Sequence, residues 1–294
     1  MPAPNWNAFT AVTLVVLAIL IALARASQAV LTGEGGQLET IPEAGEESQS
    51  DSVPESFPIG GERSVLENNR APSEPDPTQP ASEQTYRTDE HPEQTGEQPN
   101  PAEELTTGML LLNVALSQGL FGVILVISAI LAAIPRSALG IESATRFELG
   151  VGIALGVALF VANELGQRVA DALGIEYEDG LRELLTPDSV RGWVLLLGVA
   201  LPIIAGFEEL LFRSALVGVL AVGYDISPWL LAAFSSVAFA VGHGAQGPGG
   251  ILVTGTLGAV LAAAFVLTGS LLVVVVAHYL VNALEFAVHA GNET

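Results

Sequence analysis

The sequence predicts an all-α protein, a polytopic transmembrane helical bundle with about six core helices and an additional N-terminal anchor helix. Half of the 294 residues are hydrophobic, and they are gathered into long apolar runs separated by short polar turns. Small residues are abundant in these runs, as expected where helices approach closely within lipid. The acidic residues, in contrast, are concentrated in one separate tract near the N-terminus.

Residues 1–31 form the first segment, which we interpret as a membrane anchor or a signal-like segment. A 17-residue apolar run over 8–24 precedes Arg25 and the small residues of the stretch ASQA. The run is of borderline length for a membrane span, and the small residues resemble a cleavage site. No positively charged side chain precedes the run, so an uncleaved anchor is the favoured interpretation.

Residues 32–106 form an acidic linker that we predict to be disordered. Between positions 33 and 104 there are 18 Asp or Glu residues and three Arg residues, in a sequence rich in Pro, Glu, Ser, Gln and Thr. Such a tract cannot bury enough apolar surface to offset the entropy lost on ordering. His91 lies within this linker and is expected to be solvent-exposed.

Residues 107–290 form the main domain, and residues 291–294 form a short polar tail. The domain contains six apolar runs that we interpret as membrane helices. They cover approximately residues 109–134, 147–162, 193–220, 228–242, 250–267 and 270–290.

Composition excludes several classes of function. The net charge is −22 and all ten basic residues are Arg, a pattern that resembles proteins of high-salt organisms and argues against nucleic acid as a partner. The chain has no Cys, which excludes disulfides, thiolate catalysis and Cys-based metal sites. The four His residues leave few candidates for acid–base chemistry or for metal ligation.

Run 193–220 contains Glu208, Glu209 and Arg213, although a charged side chain near the bilayer centre costs about 2.5–3.5 kcal/mol. Glu209 and Arg213 are four residues apart, so they share a helical face and can form an ion pair. Glu208 lies about 100° further round the helix and is left for another role. A purely structural salt bridge would explain the pair, but it would leave Glu208 without a partner.

Two further polar pairs lie in later helices. Phe239 and His243 share a face at the end of run 228–242, and His278 and Asn282 share a face deep in the last run. Either histidine taken alone could be making ordinary interhelical hydrogen bonds. Taken together with Glu208, the polar side chains of these helices indicate one hydrated cavity.

Such a set could support hydrolysis. A buried carboxylate beside an imidazole can activate water, and a second His with an Asn offers hydrogen-bond donors to an oxyanion. The same Glu208, His243 and His278 could instead bind a divalent metal such as zinc, through one oxygen and two nitrogens. The sequence leaves both alternatives open.

The three motifs resemble those of the CAAX prenyl protease and bacteriocin-processing (CPBP, or Abi) family of intramembrane endopeptidases. They are Glu-Glu-x-x-x-Arg at 208–213, Phe-x-x-x-His at 239–243 and His-x-x-x-Asn at 278–282, and the resemblance covers about residues 107–290. It implies that Glu208 and His243 activate water and that His278 and Asn282 stabilise the oxyanion. Glu209, Arg213 and Phe239 would support the site.

The resemblance also implies a glutamate-dependent mechanism that requires no cofactor, although the family was long described as metal-dependent. The expected partners are the lipid bilayer and a membrane-embedded or membrane-associated peptide or protein, at the cell membrane of a prokaryote. The alternative is a non-catalytic transporter or scaffold whose buried Glu and His residues form a polar cluster.

Overall fold

A computed structural model of the protein describes residues 2–31, 101–142, 144–172 and 185–290. The predicted disordered linker lies outside the described residues except for positions 101–106, which belong to a helix. The polar tail 291–294 also lies outside them, so these parts of the domain division stay predictions.

Seven long helices account for most of the described residues. They are α1 (Trp6–Leu31), α2 (Pro101–Leu131), α3 (Arg146–Ala172), α4 (Val190–Tyr224), α5 (Pro228–Gly242), α6 (Gly247–Thr268) and α7 (Leu271–His289). No strand occurs within the described ranges, and six of the helices are long and apolar enough to cross a membrane. The seventh, α5, is apolar but has only 15 residues. The predicted polytopic helical bundle is therefore confirmed.

Local sequence signals mark where several helices begin. At the start of α3, the backbone N–H of Thr145 donates to the Glu148 carboxylate, and the Thr145 hydroxyl accepts from the Glu148 N–H. This reciprocal pair is a capping box, which satisfies amides that lack a partner within the helix. Ser189 caps α4 by accepting from the N–H of Gly192, and Pro228 occupies the first position of α5.

Helix α4 lies at the centre of the bundle. Every residue from 207 to 217 is buried, and α4 packs against α1, α2, α5, α6 and α7. Two π-helical segments interrupt it, at Leu196–Ala200 and Leu210–Val219, and the second begins directly after Glu209. π-helical segments inside α-helices are rare and are frequently found at functional sites. The central position of α4 buries Glu208, Glu209 and Arg213 among other helices and away from lipid.

Helices α3 and α7 run in the same direction and pack closely through two glycines. A Cβ atom added at Gly152 would lie 2.9 Å from the Val276 Cβ, and one added at Gly156 would lie 2.8 Å from the Leu280 Cβ. Small residues four apart allow this close approach of helix backbones in a membrane. The contact sets the position of α7, which carries His278.

Candidate active site

The most deeply buried part of the site is an ion pair within α4. The Arg213 Nη1 donates to the Glu209 Oε1 at 2.7 Å, and both side chains are completely buried. The Arg213 Nη2 also donates to the backbone carbonyl of Gly258 on α6 at 3.0 Å. The predicted pairing of Glu209 with Arg213 is thus confirmed, and the pair is attached to a second helix.

His278 of α7 contacts the same carboxylate. Its Nδ1 lies 2.7 Å from the Glu209 Oε1, so the Nδ1–H donates to an acceptor that cannot donate in return. The other Glu209 oxygen has no hydrogen-bond partner among the described residues, and neither does the Arg213 Nε. The hydrogen bond to Glu209 fixes the orientation of the imidazole ring, so the His278 Nε2 points away from Glu209.

The carboxylate of Glu208 lies between two imidazoles from different helices. Its Oε2 is 3.7 Å from the His278 Nε2, and its Oε1 is 4.0 Å from the His243 Nε2. These separations are too long for direct hydrogen bonds. Glu208 and His278 are almost entirely buried, whereas the His243 side chain is 24% exposed. The opening to the site therefore lies on the His243 side.

His243 follows immediately after the last residue of α5. Its Nδ1–H donates to the backbone carbonyl of Phe239 at 2.8 Å, because a carbonyl oxygen can only accept. In the neutral tautomer, the lone pair of the Nε2 then faces Glu208. Glu208 and His243 together present two acceptor atoms to the space between them.

Phe239 supports the site through its ring. The Arg213 guanidinium carbon lies 4.6 Å from the centre of this ring, within the range of a cation–π interaction. The ring centre is also 4.4 Å from that of His243 and 6.0 Å from that of His278. One buried aromatic side chain therefore contacts the ion pair and both histidines.

Asn282 lies one helical turn after His278 on α7 and is half-buried. The four-residue spacing places the two side chains on the same helical face. Within the described part of the chain, Asn282 has no hydrogen-bond partner, so its amide N–H groups are available to a ligand.

The alternative ligand set for a metal is more widely spaced than the ligands of a tetrahedral zinc ion. Ligands of a tetrahedral zinc ion lie about 3.3 Å from one another. The Glu208 oxygens are 3.7 and 4.0 Å from the two imidazole nitrogens. Among the described residues, the only three metal-ligating side chains with donors all within 4.8 Å are Glu164, Glu285 and His289. The Glu208, His243 and His278 donors are arranged around a wider space.

The second polar cluster, around Glu164, Glu285 and His289, connects the C-terminal parts of α3 and α7. The side-chain amides of Asn163 and Gln167 each donate to one oxygen of Glu285, both at 2.8 Å. The His289 Nε2 lies 3.4 Å from a Glu164 oxygen. Glu285 and His289 continue the stripe that His278 begins on α7. These contacts stabilise the pairing of α3 with α7 outside the site at Glu208.

Sequence reasoning placed the individual side chains but missed two of the contacts between them. It did not anticipate the hydrogen bond from His278 to Glu209, nor the role of the Gly258 carbonyl as an acceptor for Arg213. Helical spacing shows which residues share a face of one helix. It carries no signal for which faces of different helices meet.

The fold and site define a multi-pass membrane protein in which one buried carboxylate faces imidazoles from two other helices. Residues 190–284 match the protein-family model described as type II CAAX prenyl endopeptidase Rce1-like. The resemblance to the CAAX protease (CPBP) family that the motifs predicted is therefore confirmed for this region. The match is narrower than the expected 107–290, but it includes all three motifs. No curated protein and no solved structure matches the chain.

Proposed function

We propose that the protein is a glutamate-dependent intramembrane endopeptidase, which hydrolyses a peptide bond of a membrane-associated protein or peptide by means of an activated water. The observation that carries the proposal is the position of Glu208, whose two oxygens face the Nε2 atoms of His243 and His278. The family match supports the class of reaction. The geometry suggests separate roles for the His243 side and the His278 side of Glu208.

Glu208 and His243 are spaced to hold the attacking water. Their facing atoms are 4.0 Å apart. A water oxygen about 2.8 Å from both atoms would complete a triangle with an angle of about 90°, which is compatible with two hydrogen bonds. Both protein atoms would accept a hydrogen bond from this water, so either can take one of its protons as the general base when the water attacks the peptide carbon.

His278 and Asn282 are the proposed donors to the oxyanion. Because the His278 Nδ1–H is already donated to Glu209, its Nε2 can donate only when the ring carries both protons. Glu208 and Glu209 would then balance Arg213 and His278, so that these four buried groups have no net charge.

Glu209, Arg213 and Phe239 are the proposed supporting residues. None of them needs to touch the substrate. Arg213 holds Glu209, Glu209 orients His278, and the Phe239 ring packs against both histidines. Fixed orientation of catalytic groups accounts for a large share of the rate enhancement in many enzymes.

The proposed substrate approaches from the membrane, because the site lies within a multi-pass helical protein. The proposed location is the cell membrane of a prokaryote. The mechanism uses water and side chains of this chain alone, so no metal step is included. Cleavage is accordingly expected to persist after exhaustive chelation of divalent metals, measured by the initial rate before and after treatment.

Substitution of Glu208 by Gln is the direct test. The change keeps the shape and hydrogen-bonding capacity of the side chain but removes the base, and cleavage is expected to fall by about 10²–10⁴-fold. Two reporters should be assayed in reconstituted vesicles, a prenylated C-terminal peptide and an unmodified transmembrane peptide. Glu142→Gln in an exposed turn is the matched control and should retain cleavage.

The same experiment distinguishes a non-catalytic protein. A transporter or scaffold would cleave neither reporter in its wild-type form. Cleavage by the Glu208→Gln variant at the wild-type rate would contradict the assignment of Glu208 as base. Thermal unfolding of both variants shows whether any loss of cleavage reflects misfolding.

A further inference from the structure

Helix α1 lies outside the region that matches the protease family, yet it is packed into the same core. Its buried positions include Phe9, Thr13, Val16 and Leu17, whose spacing places them on one helical face. Exposed apolar side chains such as Leu14 and Val15 lie on the rest of the helix surface. A helix that only anchored the chain would have lipid on all sides and would not need such a face.

The start of α1 is fixed to the ends of two other helices. The backbone N–H of Asn5 donates to the carbonyl of Ala132, which follows α2. The Tyr224 hydroxyl at the end of α4 lies 2.8 Å from the Asn7 Oδ1. A Cβ atom added at Gly223 would lie 2.9 Å from the ring of Trp6, so only a glycine allows this approach.

Further along, α1 reaches the catalytic side of the bundle. Phe9, Val16 and Leu17 belong to one buried cluster with Phe207 and Phe239. Phe207 precedes Glu208 in sequence, and Phe239 packs against both histidines of the site. The buried face of α1 is therefore continuous with the aromatic side chains around the site.

The last part of α1 contacts the segment that carries His243. Leu20 Cδ2 lies 3.6 Å from the position of a Cβ atom at Gly242, and α1 packs against the 3₁₀ turn Gly244–Gln246. The backbone of His243 lies just beyond the end of α5, where its N–H donates to the Ala240 carbonyl. The contact of Leu20 with Gly242 adds support to the backbone that carries His243.

We propose that α1 is a permanent part of the catalytic domain and that Leu20 is a positioning residue for His243. In this proposal α1 is retained in the mature protein, and the acidic linker that follows it connects α1 to the rest of the same domain. The role of Leu20 in the reaction rests on the proposed function, whereas the retention and packing of α1 do not.

Retention and packing can be tested without an activity assay. The chain has no Cys, so a cross-link between Cys residues introduced at Leu20 and Gly242 would have no background. A short bifunctional thiol reagent should join this pair in the intact membrane protein. It should not join Gly242→Cys with Ala22→Cys, because Ala22 is exposed and lies about 200° round the helix from Leu20.

Intact mass of the purified wild-type protein provides the second measurement. The mass should include residues 6–31. A mature N-terminus after Arg25 would overturn the proposal, and so would equal cross-linking of the two cysteine pairs. Neither result depends on whether the protein cleaves peptides.

The positioning role is tested with Leu20→Ala and the matched control Ile19→Ala, whose side chain is 42% exposed. Displacement of a catalytic group by about 1 Å can cost about 10²-fold, so a partial displacement is expected to lower kcat by about tenfold. KM and the unfolding temperature should change little, and Leu20→Met should restore most of the rate. The control should retain the wild-type kcat.

Two results distinguish failure of the positioning role of Leu20 from failure of the proposed function. Equal kcat for Leu20→Ala and Ile19→Ala would overturn the positioning role while leaving the proposed function intact. If wild-type protein cleaves neither reporter, the proposed function and the role of Leu20 fail together, and the cross-link still decides whether α1 belongs to the domain.

Discussion

Substitution of Gly156 by Ala should force α3 and α7 apart. The added Cβ would lie 2.8 Å from the Leu280 Cβ and 2.9 Å from the Ala277 carbonyl oxygen. Carbon atoms in van der Waals contact are about 3.5 Å apart, so the helices must separate by about 0.7 Å. Overpacking of this kind costs about 1–3 kcal/mol of the free energy of unfolding.

The displacement would also reach the site, because Ala277 precedes His278 directly. A shift of about 0.7 Å in a catalytic group is expected to lower kcat by about tenfold or more. Thermal unfolding in one detergent and cleavage of a reporter peptide measure the two effects separately.

Gly150→Ala is the matched control in the same helix. Nothing lies within 4 Å of a Cβ atom at Gly150, and both substitutions gain the same helix propensity, about 1 kcal/mol. The difference in stability between the two variants therefore isolates the packing of α3 on α7. Equal stability and equal kcat for Gly150→Ala and Gly156→Ala would refute the close contact.

Three further substitutions have distinct expected results. Arg213→Met leaves Glu209 buried without its cation, and should reduce the free energy of unfolding by about 3–5 kcal/mol. Glu285→Gln replaces an acceptor oxygen with a donor that faces another amide, and should lower stability by about 1 kcal/mol as measured by unfolding in denaturant. Ser235→Ala removes a buried hydrogen bond to the Phe212 carbonyl, so stability should fall by about 1 kcal/mol while kcat stays within about twofold.

Controls for these variants come from exposed positions. Arg136→Met removes an exposed Arg and should leave the unfolding temperature unchanged; an equal loss for both Arg variants would contradict the buried pair. If Glu285→Gln unfolds like wild type, the amide contacts do not stabilise the α3–α7 pairing. Loss of cleavage by Ser235→Ala without loss of stability would indicate a serine nucleophile.

Much of the fold could be predicted because lipid imposes strong constraints on sequence. A membrane helix needs a long apolar run, so the runs and turns of the chain indicate its helices with little ambiguity. The functional candidates in α4 could be recognised from the sequence for the same reason, since Glu208, Glu209 and Arg213 interrupt an apolar run.

The contacts between helices were harder to predict. Four-residue spacing indicated the pairing of Glu209 with Arg213, but the contact of Glu209 with His278 depends on how α4 and α7 pack. The burial of α1 was missed because its apolar side chains suit lipid and protein equally well. The π-helical segment after Glu209 was also not predicted, since its mostly apolar sequence is equally compatible with a regular α-helix.

The division of charged contacts within and between helices has a consequence for biogenesis. Arg213 and Glu209 neutralise each other inside one helix, so α4 can enter the bilayer with that pair already formed. Glu208 instead faces histidines at the end of α5 and on α7, and α7 is the last of the seven to leave the ribosome. During synthesis Glu208 therefore enters the bilayer before its histidine partners, and its environment is complete only after α7 has inserted.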